Sequence, residues 1–124
     1  MHDNPSQSEL IEAVKLFIEK TASPQLNGHA AFHARVASNV LGTLLRDLDA
    51  RPKNEADEQK RLSSLLGNTG DLAQLNADLC EKIRSNEMTI ETSGLLEHLK
   101  LTAIAQVKVD QPRYSGLKTA LDTE

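Results

Sequence analysis

Apolar residues recur along this chain mostly at spacings of three and four, the period of amphipathic helices. Leu10, Ala13, Val14 and Phe17 form the first stripe, widened by Ile11 and Ile18. Ser6-Gln7-Ser8-Glu9 ahead of it has the form of a capping box, so a helix is expected over 6–21, ending before Pro24. After the turn Leu26-Asn27-Gly28, a second helix is predicted over 29–50. Its core face would be Phe32, Val36, Val40 and Leu44, extended by Ala37, Leu41, Leu45 and Leu48, with Pro52 closing it. Asn54 can cap a third helix over 54–66, with Glu55 and Asp57 in its first turn and Leu62, Leu65 and Leu66 as its apolar positions. It stops at Gly67-Asn68-Thr69-Gly70, and a fourth follows over 71–85 on Leu72, Leu75, Leu79 and Ile83.

The last element carries two conflicting periods. From Leu99 to Val109 every odd position is apolar, and Lys100, Thr102, Gln106 and Lys108 alternate with them, which is a strand signal. A lone strand would leave its backbone groups without partners, and the only other strand-like piece, Met88-Thr89-Ile90, is short. One helix over 93–109 is therefore expected, apolar nearly all round in its second half, and so central or shared with a second subunit. The stretch 110–124 reads as an irregular tail. The fold predicted is a single all-α domain over 1–124, a five-helix bundle with mostly antiparallel neighbours.

Length and composition sharpen this picture by exclusion. With 124 residues one compact core is attainable, and the lone Cys80 rules out an intrachain disulfide. The segment Met1-His2-Asp3-Asn4-Pro5 has neither the basic nor the apolar region of a signal peptide, and no apolar run approaches the roughly 18 residues of a membrane span. A soluble, cytoplasmic protein without membrane attachment is the expectation. Net charge is −4, and the aromatic residues are Phe17, Phe32 and Tyr114. Basic stripes and stacking aromatics are both missing, which weighs against nucleic-acid binding.

Candidate chemistry gathers in two places. His29 and His33 stand four apart, so both imidazoles project from one side of the second helix, and His33 falls within its apolar arc. The bland reading makes His33 a core histidine with a polar partner. The sharper one is a metal site completed by His98, Asp71 or another carboxylate, although Ala30 stands where a zincin has glutamate. Arg35 and Asn39, also four apart, flank the same face, and Asp110 is a candidate partner for Arg35. The second place is Asp110-Gln111-Pro112-Arg113-Tyr114-Ser115-Gly116, where Tyr114 either anchors the tail or joins Arg113 in a hydrogen-bonding rim. Gly67-Asn68-Thr69-Gly70 lacks the lysine and spacing of a phosphate loop, and Cys80 reads as a packing residue. No nucleophile, base and orienting group line up, so neither catalysis nor a cofactor is expected.

At Ala31-Phe32-His33-Ala34-Arg35-Val36-Ala37 with Asn39, and again at Asp110 to Gly116, the chain resembles an uncharacterised bacterial family of small helical proteins. The segments Glu9 to Val14 and Asp71 to Asn76 fit the same pattern. Genes of this family tend to lie beside aminoglycoside-phosphotransferase-like kinases and acyl-CoA dehydrogenases. The resemblance supplies no catalytic residues. It implies a setting in acyl-thioester metabolism with a kinase-like partner. The function expected is a non-enzymatic accessory protein, homodimeric and acting with a partner enzyme. The alternative is a small-molecule or acyl-group binder, or a weak enzyme, using His29, His33, Arg35, Asn39, Asp110, Arg113 and Tyr114.

Overall fold

A computed structural model describes residues 4–122. Among these residues there are five α-helices and no strand. They are α1 (Gln7–Phe17), α2 (Gly28–Leu66), α3 (Leu72–Arg84), α4 (Leu95–Asp110) and α5 (Ser115–Asp122). The all-α class holds. By internal contacts the chain forms two compact units, divided between Ala50 and Arg51.

In the first unit the capping box forms as its sequence requires. Ser6 Oγ accepts from the Glu9 amide at 3.1 Å, and Glu9 Oε2 accepts from the Ser6 amide at 2.6 Å. The Ser6 amide, and then the Ser6 hydroxyl, bond to the Glu9 carboxylate and hold that carboxyl below its usual range. After Phe17 the backbone passes through a π-helical turn (Ile18–Ala22) and a 3₁₀ turn (Ser23–Gln25) that takes Pro24 in its first positions, where the missing N–H costs nothing. Gly28, at φ +55°, then opens α2.

The first unit is a helical hairpin. Ser38 Oγ donates to Glu19 Oε1 at 2.5 Å, and a Cβ on Gly42 would lie 3.5 Å from the Lys15 side chain. Residue numbers rise along one helix as they fall along the other, so α1 with its π-turn runs antiparallel to α2. On α2 this contact uses the small residues Ser38 and Gly42, spaced by four and both buried. Lys15 Nζ pairs with Glu19 at 2.5 Å, and these bonds from Lys15 and Ser38 lower the Glu19 pKa.

This arrangement corrects one expectation. Phe32, Val36, Val40 and Leu44 are not core residues: they are exposed by 53%, 42%, 54% and 45%. At 100° per residue they lie on the side of α2 opposite Ser38, and the hairpin is joined through Ser38.

A second correction concerns Pro52. Helices over 29–50 and 54–66 were expected, yet α2 runs unbroken from Gly28 to Leu66 with Pro52 inside. Proline forfeits one hydrogen bond, to the carbonyl four residues earlier. Helix-compatible neighbours keep the helix going, and Lys53 Nζ pairs with Asp57 Oδ2 one turn on at 2.5 Å.

The second unit holds most of the buried apolar side chains. Leu62 and Leu75 are fully buried, with Leu79 and Leu95 beside them and Leu65, Leu66, Leu72 and Met88 packed around. Gly67 at φ +71° ends α2, its amide bonding to Ser63 O at 3.0 Å. Asp71 caps α3 by accepting from the Gln74 amide at 2.8 Å, which is the predicted start. The alternating segment is helical: Leu95, His98, Ile104 and Val109 are the buried positions of α4. Cys80, expected to pack, is exposed, because Leu75 and Leu79 set the buried direction of α3 and Cys80 is turned about 100° from Leu79. The C-terminal stretch is not wholly irregular either. Leu117, Ala120 and Leu121 recur at helical spacing, and α5 packs on α4 with Leu117 buried.

Candidate functional site

The side chains singled out in sequence fall into two sets, each within one unit. His29, His33, Arg35 and Asn39 lie in the first unit, and all four are exposed. His33 is therefore not a core histidine. Its ring meets that of Phe32 edge-on at 5.6 Å between centroids. In the second unit Asp110, Arg113 and Tyr114 are exposed. Asp110 Oδ2 accepts from Gln106 Nε2 at 2.9 Å. The Tyr114 ring lies over Gly116, where an added Cβ would come within 2.6 Å of Cε1. Among the described residues no group of three or more His, Cys, Asp or Glu side chains is placed to hold a metal ion.

Sequence reasoning missed a polar cluster in the second unit, between the C-terminal half of α2 and α4. Arg61 Nε donates to His98 Nδ1 at 3.4 Å, and Arg61 Nη2 donates to Thr102 Oγ1 at 3.1 Å. One turn along, a Cβ on Gly94 would lie 3.5 Å from Leu65 Cδ1. The two contacts fix an antiparallel register in which Arg61 faces His98 and Leu65 faces Gly94. His98 is 4% exposed. Because its Nδ1 accepts from a guanidinium, the ring is neutral and carries its proton on Nε2. Burial, and then the adjacent Arg61 charge, push its pKa down, with Glu58 opposing weakly.

A recess of about 450 Å³ opens at this cluster. Lys60, Arg61, Ser64 and Leu65 line it from α2. Gly94 and His98 close the other side, with Ser93 and Glu97 beside them. Gly94, at φ +87°, is the N-cap residue of α4 and offers no side-chain cap. Arg61 was legible in sequence only as one charge among many, because its partners lie 37 and 41 residues away.

The first unit offers a different feature. Leu10, Val14 and Phe17 of α1 are exposed by 53%, 51% and 59%, so α1 also turns apolar side chains outward. With the α2 stripe, seven large apolar residues of one helical hairpin remain uncovered.

A family model described as "Domain of unknown function (DUF6285)" matches residues 24–114. No curated protein and no solved structure matches the chain.

Proposed function

This chain belongs to the DUF6285 family, and from that premise we propose that it is a non-enzymatic interaction protein whose first unit associates with a second copy of itself. The observation that carries this reading is the uncovered stripe Phe32, Val36, Val40 and Leu44, with Leu10, Val14 and Phe17 on α1. From their fractional exposures and ordinary side-chain areas, the four α2 residues, which share one face turned away from α1, present on the order of 350 Å² of surface per chain. That lies within the 300–600 Å² of the largest apolar patch on a typical monomer, a feature that is often functional. Two copies meeting stripe to stripe would cover about 700 Å² of it, and flanking residues of α2 would have to supply the rest of the roughly 1,200 Å² of a specific interface. A hairpin whose helices each expose an apolar face completes a four-helix arrangement by pairing with another hairpin.

The accessory role extends this reading. A dimer of this kind would serve a partner enzyme, and the family resemblance points to acyl-thioester metabolism for that setting. Size-exclusion chromatography with light scattering tests the association. The expected result is twice the chain mass for the wild type and the chain mass for a Val36→Glu, Val40→Glu double variant. A wild-type monomer at high micromolar concentration overturns it.

A further inference from the structure

The recess between α2 and α4 gathers more positive than negative groups around an apolar wall. Arg61 is half-buried, yet no carboxylate lies within ion-pair distance of it among the described residues, its bonds going to neutral His98 and Thr102. Lys60 lines the same space, is exposed, and has no ion-pair partner among the described residues. The α4 N-terminus adds partial positive charge there: the Leu95 amide donates to Thr92 O at 3.2 Å, and Gly94 offers no side chain to cap the Leu96 and Glu97 amides. Glu97 is the one acid on the wall, so Lys60 and Arg61 leave a net charge of +1.

A second, independent observation comes from His98. Its side chain is more than nine-tenths buried, and its Nδ1 is taken by Arg61. Its Nε2 has no partner among the described residues, whereas every fully buried side-chain nitrogen or oxygen among them is hydrogen-bonded. Nε2 therefore keeps some access to solvent, and His98 is part of the recess wall. A neutral N–H donor held by a guanidinium behind it is arranged for an acceptor.

We infer that this recess binds a small organic carboxylate, with the carboxylate between His98 Nε2–H, Lys60 and the α4 amides and a short aliphatic body against Leu65 and Gly94. Two features favour a carboxylate over a larger polyanion. Glu97 limits the net positive charge, and about 450 Å³ holds a ligand of only modest size. The site lies within the second unit and does not depend on self-association of the first.

The test uses the full chain, labelled with ¹⁵N and followed by NMR while hexanoate, hexanamide and inorganic phosphate are added separately. Saturable shifts of the Gly94 to Glu97 amides and of the His98 imidazole nitrogens with hexanoate are expected, with hexanamide at least tenfold weaker. Lys60→Glu should weaken hexanoate about tenfold, since it reverses a rim charge within reach of the ligand. Its side chain is solvent-exposed, so its amide spectrum should otherwise match the wild type. Equal responses to hexanoate and hexanamide, no saturation, or an unchanged affinity in the Lys60 variant overturns the inference. Phosphate binding as tightly as hexanoate also overturns it, because the apolar wall would then contribute nothing.

Discussion

Leu75→Ala provides a quantitative check on the core of the second unit. Leu75 has no exposed surface, and its neighbours Leu62, Leu79 and Leu95 are exposed by 0%, 4% and 3%. The substitution removes three carbons, worth about 2.4 kcal/mol in transfer free energy at about 0.8 kcal/mol each. A residual cavity adds about 24 cal/mol per Å³, so incomplete collapse raises the cost further. The fully buried neighbours limit collapse, while half-buried Leu72 and Met88 can move inward. A loss of about 3 kcal/mol is expected. Urea unfolding followed by residue-resolved amide exchange suits this protein, because the two units need not unfold together. Leu96→Ala, at a side chain 56% exposed, is the control and should cost less than about 0.5 kcal/mol. A Leu75→Ala loss below about 1 kcal/mol, or one equal to the control, would refute this placement of the core.

Two further outcomes follow from particular contacts. The folded-state pKa of His98 is depressed, so the unfolded chain binds the proton more tightly, and stability should fall as pH drops below the unfolded value of about 6.5 toward the folded one. Denaturant midpoints between pH 7 and 5 should show this slope, and His98→Gln should flatten it. The depressed carboxylates Glu9, Glu19 and Asp57 keep their stabilising effect through this window and lose it only as pH falls below their ordinary values of 4.5, 4.5 and 3.8. Gly116→Ala drives a Cβ to within 2.6 Å of the Tyr114 ring, so Tyr114 must turn away or α5 must shift. Amide exchange should quicken across Ser115–Asp122 and leave α3 unchanged; protection of α5 at the wild-type level would contradict the contact.

The parts of the fold visible in sequence are those fixed by local chemistry. Ser6 with Glu9, and Asp71 with Gln74, are hydrogen bonds between residues three apart, and they fix where α1 and α3 begin. The alternating stretch in α4 was decided by the lack of a partner strand. What failed depended on distant partners. Pro52 marked a boundary only on the assumption that one missing hydrogen bond outweighs the helix around it. In α2 the periodicity located an apolar arc and could not say what covers it. Ser38 and Gly42, whose virtue is small size, carry no hydrophobic signal, yet they lie at the hairpin contact. For the candidate site, His29 and His33 stood out because they share one helix face. Arg61 with His98 did not, because only the α2–α4 register brings them together.

The proposed self-association puts a second copy over the apolar stripe of the first unit. Isotope-filtered NOEs in a mixture of labelled and unlabelled chains test it directly. Intermolecular contacts to the methyl groups of Val36, Val40 and Leu44 and to the Phe32 ring are predicted, and they should vanish in the Val36→Glu, Val40→Glu variant. Their absence at concentrations where the chain has dimer mass, or intermolecular contacts confined to residues beyond Ala50, would contradict the account.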